Sequence, residues 1–162
     1  MKIALTTDHA GYEQLKELKA YLETEGYECV DFGPQSFDVN DDYPEFMFPA
    51  AQAVASGECQ RGIIFGGSGQ GEAMAVNRVK GARATVYYGP VSAKVAINAE
   101  GEMSDDPYVM LRLSREHNNA NVLSLGARFL SMDEVKHVSK LWLETPDSTA
   151  ERHLRRVEQL DV

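Results

Sequence analysis

The stretch GIIFGGSGQGEA, residues 62–73, joins a short apolar segment to a glycine-rich turn and to the start of a predicted helix. Gly62–Phe65 is apolar throughout, as expected of a strand that is buried on both faces of a parallel sheet. The glycines that follow permit a tight turn, and a helix is predicted over Glu72–Val79. A strand, a turn and a helix in this order are typical of α/β proteins.

The same alternation of strands and helices continues along the chain. Further strands are predicted at residues 2–7, 27–32, 82–87 and 122–125. Further helices are predicted between the first two strands, from the expected cap Asp42 to about Gly57, and over 132–143 and 148–160. Apolar strands that alternate with helices indicate an α/β fold with a five-stranded parallel sheet covered on both faces. No repeat or linker interrupts the pattern, so residues 1–162 are interpreted as a single domain.

Polar residues follow three of the predicted strands. Asp8-His9 comes after the first strand, Gly66–Glu72 after the third and Arg128 after the fifth. In sheets of this kind, ligands bind outside the carboxyl ends of the strands. We therefore expect these residues to lie on one rim of the sheet.

Composition and charge exclude several classes of protein. The net charge of −9 at pH 7 argues against a surface that binds nucleic acid or an anionic membrane. No apolar run approaches the roughly 20 residues of a membrane span, and MKIALTT becomes polar too soon for a secretory signal. Cys29 and Cys59 form no CxxC pair, so neither a disulfide framework nor a zinc site is predicted. The expected location is the cytoplasm.

The glycine turn resembles a nucleotide-binding loop but has the wrong charge. Gly66 and Gly71 have the spacing of a triphosphate-binding loop, yet Glu72 and Ala73 stand where Lys and Ser/Thr are required. The GxGxxG spacing of dinucleotide-binding proteins is also absent. Two interpretations stay open. The turn presents backbone N–H groups to a ligand oxygen, or it only allows a tight turn before a helix whose first residues favour an acid.

Sugar isomerisation gives the carboxylate a chemical reason. Moving a proton between adjacent carbons of an aldose or ketose needs a base near the carbon and hydrogen-bond donors near the oxygen. The turn would supply the donors for an enediolate, and Glu72 would be the base. A position at the start of a helix would lower the pKa of Glu72, whereas burial would raise it. The direction of the net pKa shift therefore stays open.

Several motifs together resemble one family, the ribose-5-phosphate isomerase B/galactose-6-phosphate isomerase group. They occur in the family's order over almost the whole chain: Asp8–Gly11, Asp42–Pro44, Gly66–Glu72, Ser114–Asn121, Leu125–Arg128 and Arg152–Arg156. The resemblance implies a Rossmann-like three-layer sandwich that works as a homodimer with shared active sites. Whether such dimers pair into tetramers stays open.

The resemblance also implies the catalytic residues. Many members have a cysteine base directly after the third strand, where this chain has Gly67. It therefore resembles the subgroup in which a glutamate takes over, here Glu72. Ser68 and the N–H groups of the turn, including those of Gly67, Gly69 and Gly71, would stabilise the enediolate. Asp8 and His117 would assist opening of the sugar ring, with Asn118 beside them. Tyr43 would line the sugar pocket.

Phosphate binding is implied for a further group of basic residues. They are His9, Arg128, Arg152 and Arg156, with His153 as a weaker addition. In the family, the arginines of the C-terminal helix reach the site from the partner subunit. Arg152 and Arg156 share a helix face, whereas Arg155 lies off it. No cofactor and no metal are expected, because the proton transfer needs neither.

The departure from the family is an acidic, glycine-containing insertion at about residues 89–110. It leaves the carboxyl end of the fourth strand, so it is expected to be a lid, a surface loop or a dimer contact. Ribose 5-phosphate and ribulose 5-phosphate are the first expectation for the substrates. Allose 6-phosphate, galactose 6-phosphate or a tetrose phosphate is the alternative, as is a phosphosugar-binding protein without catalysis.

Overall fold

The computed structural model describes residues 1–160, which form one parallel sheet between two layers of helices. The strands are β1 (Lys2–Thr6), β2 (Glu28–Asp31), β3 (Arg61–Gly66), β4 (Ala84–Tyr87) and β5 (Val122–Gly126). The helices are α1 (Tyr12–Thr24), α2 (Pro44–Ala55), α3 (Gln70–Val76), α4 (Val109–Glu116), α5 (Met132–Glu144) and α6 (Glu151–Glu158). The predicted α/β class and the five-stranded parallel sheet are confirmed.

The strand order is β2-β1-β3-β5-β4, and every neighbouring pair is parallel. The chain passes from β1 outward to β2 and then returns to place β3 on the other side of β1. The carboxyl ends of β1 and β3 therefore flank the point at which the order reverses, which is where α/β sheets open a crevice.

The alternation of side chains along each strand divides the core into two parts. Ile3, Leu5 and Phe65 face a cluster shared with α1, α4 and α5. Ala4 and Ile64 face the other cluster, which is built from α2 and α3. Because successive residues of a strand point to opposite faces, the apolar strands fill both layers.

Several helix boundaries differ from those predicted. α2 is preceded by Tyr43, with Pro44 in its first turn and no side-chain cap, so the prediction of Asp42 as the cap is wrong. α3 begins at Gln70, directly after Gly69 in the left-handed conformation (φ 77°). It ends at Val76 because the side-chain amide of Asn77 pairs with the backbone of Ala84 at the start of β4.

The last helix begins at Glu151 rather than at residue 148. The backbone N–H of Ser148 donates to Oδ1 of Asn119 (2.6 Å), and Asp147 forms an ion pair with Arg61 (3.3 Å). These contacts hold the preceding segment in an extended form. Among the described residues, no helix has both the length and the apolar character needed to cross a membrane.

Candidate active site

A cleft of about 540 Å³ opens at the carboxyl ends of β1 and β3. It is lined by Asp8, His9, Ala10, Tyr43, Gly67, Ser68, Gly71, Glu72, Arg128 and Phe129. All but Ala10 and Phe129 were predicted as site residues from the sequence. The structure thus brings the three polar groups that follow β1, β3 and β5 to one rim, as the topology requires.

The glycine turn gives the Glu72 side chain its room. A Cβ atom at Gly66 would overlap the carboxyl group of Glu72, so this carboxyl group lies directly over the end of β3. The turn is fixed to the neighbouring strand, because the hydroxyl of Ser124 donates to the carbonyl of Gly69 (2.6 Å). Only glycine allows both the close approach at residue 66 and the left-handed backbone at residue 69.

Glu72 is a buried carboxylic acid in the first turn of α3. The residue as a whole is 5% exposed, and its Oε2 has no hydrogen-bond partner among residues 1–160. Burial raises the pKa of Glu72, whereas the backbone N–H groups of Glu72 and Gly69 lower it and the charge of Asp8 raises it further. Burial therefore outweighs the helix terminus, which answers the question left open by the sequence. A carboxylate with an unsatisfied oxygen and a raised pKa is suited to accept a proton.

Ser68, within the glycine turn, and Tyr43, which precedes α2, both line the cleft. The hydroxyl of Ser68 accepts a hydrogen bond from the N–H of Gln70 (3.4 Å). The ring of Tyr43 lies so near Gly71 that a Cβ there would approach it to 3.1 Å. Both side chains border the space above Glu72.

Cationic groups gather at another part of the same cleft. The guanidinium of Arg128 covers Gly67, where a Cβ would stand 3.4 Å from Cζ of the arginine. Nδ1 of His9 lies 2.6 Å from Oδ1 of Asp41, and this hydrogen bond raises the pKa of His9. Asp8 is buried, and its Oδ1 accepts the N–H of Ala10 (2.9 Å). His9 and Arg128 therefore bring two basic side chains into the cleft that also holds the Glu72 carboxyl group.

Asp41 is a residue that no sequence pattern singles out, because it lies in a turn with several acidic residues. Ligand atoms of Asp8, His9 and Asp41 lie within 4.8 Å of one another, as the ligands of a metal ion would. The hydrogen bond between His9 and Asp41 explains their proximity without an ion. Asp41 thus contacts a residue that lines the cleft, although it does not line the cleft itself.

The remaining predicted site residues lie elsewhere on the chain. His117, Arg152 and His153 line a second cleft of about 330 Å³. The rings of His117 and His153 are stacked, with centroids 4.1 Å apart, and Arg152 pairs with Glu100 (2.8 Å). Asn118 and Arg156 are exposed. Within a single subunit, the structure does not bring this group to Glu72.

The fold and the first cleft together define a doubly wound α/β protein in which a buried carboxyl group shares a cleft with a histidine and an arginine. A family model described as Ribose/Galactose Isomerase matches residues 3–101 and 106–160. This chain belongs to that family.

Individual relatives match over nearly the whole chain. Ribose-5-phosphate isomerase B of Mycobacterium leprae is 35% identical over 160 residues, which cover 99% of this chain and 88% of the relative. The solved structure of ribose-5-phosphate isomerase B from Clostridium thermocellum has a TM-score of 0.83 and 37% identity, covering 99% of this chain and 95% of that one. Ribose-5-phosphate isomerase B from Mycoplasma genitalium, solved with bound ribulose-5-phosphate, has a TM-score of 0.81 and 33% identity. The match covers 98% of this chain and 93% of that one.

A first prediction concerns thiol reagents. The family resemblance implies a cysteine base in many members at the position where this chain has Gly67. Both cysteines are free, Cys59 is fully buried, and burial raises the pKa of Cys29 to about 11. Since the thiolate is the reactive form, we expect iodoacetamide at pH 7.5 to leave activity unchanged over an hour. Activity assays and mass spectrometry of the treated protein measure this. Rapid inactivation that substrate prevents would show that a thiol belongs to the site.

Proposed function

We propose that this protein interconverts ribose 5-phosphate and ribulose 5-phosphate by proton transfer through an enediolate, without a cofactor. The observation that carries this proposal is the buried Glu72 carboxyl group over the glycine turn, in a cleft whose other end holds His9 and Arg128. The names of the relatives support the same reaction, and one neighbour was solved with ribulose-5-phosphate. Free cysteines accord with a cytoplasmic enzyme.

Glu72 is the base in the proposed reaction. It removes the proton from C2 of the open-chain aldose and returns it to C1, while the hydroxyl proton on O2 passes to O1. The oxyanion of the intermediate lies against the hydroxyl of Ser68 and the N–H groups of the glycine turn, which require no reorganisation when charge develops. Asp8 lies beside the base and assists ring opening together with His117.

The phosphate group lies at the cationic end of the cleft in this proposal. Arg128 and His9 of one subunit bind it, and Arg152 and Arg156 on α6 of the partner subunit complete the site. His117, Asn118 and His153 accompany α6 into the same site. A homodimer with shared sites explains why one subunit holds these residues in two separate clefts.

An activity screen over a panel of four- to six-carbon aldose and ketose phosphates tests the proposed function. We expect the highest kcat/KM with ribose 5-phosphate and ribulose 5-phosphate. A higher value with allose 6-phosphate, galactose 6-phosphate or a tetrose phosphate would keep the reaction and change the substrate. Binding without turnover of any sugar would make this a phosphosugar-binding protein.

The segment between β4 and α4 carries a second prediction. The family match leaves out residues 102–105 within it, and its ends are joined by a hydrogen bond from the N–H of Val91 to the carbonyl of Pro107 (2.8 Å). Its Glu100 forms a bidentate pair with Arg152 (2.8 and 3.3 Å), so the segment contacts a proposed phosphate ligand. We expect replacement of residues 93–104 by a short Gly-Ser connection to change relative kcat/KM values across the panel by about 10-fold.

The melting temperature of the shortened variant should stay within about 4 °C of the wild type, since surface-loop length affects stability weakly. Glu100→Gln is the matched control, because it keeps the segment and removes only the negative charge that pairs with Arg152. An unchanged substrate profile would show that the segment is a surface feature. Loss of the dimer would show that it belongs to the interface.

A further inference from the structure

Asp41 contacts the proposed phosphate-binding end of the cleft although it belongs to none of the motifs found in the sequence. Its Oδ1 lies 2.6 Å from Nδ1 of His9, and the two side chains are 7% and 22% exposed. Its Oδ2 is buried and has no hydrogen-bond partner among residues 1–160. A buried carboxylate with one short contact to a histidine is a strong polar interaction, because little water competes with it.

The segment between β2 and α2 holds Asp41 in this place. The N–H of Asp41 donates to the carbonyl of Asp38 (3.2 Å), and the ring of Phe37 meets the ring of His9 edge-on, with centroids 6.4 Å apart. The ring of His9 therefore contacts this segment at two residues, Phe37 and Asp41. Both contacts restrict the orientation of the ring.

The charged groups that face His9 come from three elements. Asp41 precedes α2, Asp8 follows β1 with its Oδ2 4.0 Å from Nδ1, and Arg128 follows β5. The hydrogen bond that His9 donates to Asp41 is the largest influence on the pKa of His9 and raises it. Burial and Arg128 lower the pKa, whereas the charges of Asp8 and Asp41 add to the increase. Two carboxylates thus offset the guanidinium that shares the cleft.

We propose that Asp41 is a positioning residue that orients His9 and keeps its ring protonated for binding the substrate phosphate. The inference rests on the proposed function, which assigns the phosphate to His9 and Arg128. With Nδ1–H directed to Oδ1 of Asp41, Nε2 is the ring nitrogen that remains for a ligand. In the imidazolium form Nε2 donates a charge-assisted hydrogen bond to a phosphate oxygen, which a neutral ring with its proton on Nδ1 cannot do.

The variant Asp41→Asn separates the charge of Asp41 from its shape. We expect the pKa of His9, measured by NMR titration of the ring, to fall by about one unit in the variant. At pH 8 the affinity for inorganic phosphate and the KM for ribose 5-phosphate should each become about 10-fold poorer. At pH 5.5 the difference from the wild type should be much smaller, because a larger fraction of His9 is protonated in both proteins. kcat should change less than about two-fold, since Asp41 does not touch the reacting carbons.

Glu45→Gln is the matched control, because Glu45 is an exposed acid in the first turn of α2 close to Asp41 in the chain. It removes the same charge without a contact to His9, so its pH dependence should be that of the wild type. Asp41→Glu keeps the charge and should retain the higher pKa of His9. Introducing Asp41→Asn into a His9→Gln protein should weaken phosphate binding no further, because the two residues act as one unit.

Equal loss of phosphate affinity at pH 5.5 and pH 8 in the Asn variant would overturn the proposal, and so would an unchanged His9 titration. If that variant does not fold, titration of the wild type decides, because a His9 ring that is neutral at pH 7 also overturns it. Phosphate binding and NMR need no turnover. A shifted His9 titration without activity on any sugar would therefore remove the proposed function and leave the role of Asp41 intact.

Discussion

Glu72→Gln is expected to abolish isomerisation while substrate binding stays within a few-fold of the wild type. The amide keeps the shape of the carboxyl group over Gly66 but cannot accept a proton, and loss of a general base costs about 10²–10⁴ in rate or more. Turnover of ribose 5-phosphate and calorimetric binding of the same sugar measure the two effects. In the wild type, kcat should fall as the pH drops through the raised pKa of Glu72, because only the carboxylate is a base.

A control distinguishes this role from that of an acid that merely favours a helix start. Glu13 occupies the first turn of α1 as Glu72 does in α3, but it is exposed. Glu13→Gln should therefore leave turnover unchanged. Near-normal turnover of Glu72→Gln would show that another residue is the base.

The stability of the Glu72→Gln protein has an expected sign as well. Since burial raises the pKa of Glu72, the folded state favours the protonated form, and the carboxyl group loses stabilising effect as the pH rises through that pKa. At neutral pH the Gln variant should melt at the same temperature as the wild type or higher. A helix-favouring acid would give the opposite result, because its removal weakens the interaction with the helix terminus.

The sheet and the rim of the cleft could be predicted from the sequence because both follow from local patterns. Apolar runs such as that of β3 mark buried strands, and parallel strands end at one edge. These two patterns predict that Asp8, Glu72 and Arg128 lie together. The glycine turn carried its own signal, because four glycines in six residues at 66–71 are rarely needed for a turn alone.

What could not be predicted depends on contacts between distant parts of the chain. Asp41 reaches His9 through the path of a loop, which no periodicity describes. The start of α6 depends on a hydrogen bond between Ser148 and Asn119. The direction of the Glu72 pKa required its burial, which competes with the helix terminus and follows only from the packed structure.

The second cleft raises the question of how α6 serves the reaction. This helix carries Arg152 and Arg156. Within one subunit, Arg152 lines the second cleft and not the first, which holds Arg128, and it is paired with Glu100. A phosphate dianion in a protein of net charge −9 needs several guanidinium groups brought together, since charge-assisted bidentate contacts are the strongest available. A second subunit that places α6 over the first cleft would provide them.

Two inactive variants, Glu72→Gln and the double variant Arg152→Ala/Arg156→Ala, should therefore restore activity to each other. In a mixed dimer one site collects both defects, whereas the other combines an intact Glu72 with intact arginines. Random pairing makes half of the dimers mixed with one working site of two, so an equal mixture that is unfolded and refolded should regain roughly a quarter of wild-type activity. Turnover of ribose 5-phosphate measures the recovery, and native mass spectrometry confirms that mixed dimers are present. Arg155→Ala, on another face of α6, is the control and should be active alone. If mixed dimers form without recovery of turnover, the arginines serve the site of their own subunit or only its surface. The proposal of a shared site is then wrong.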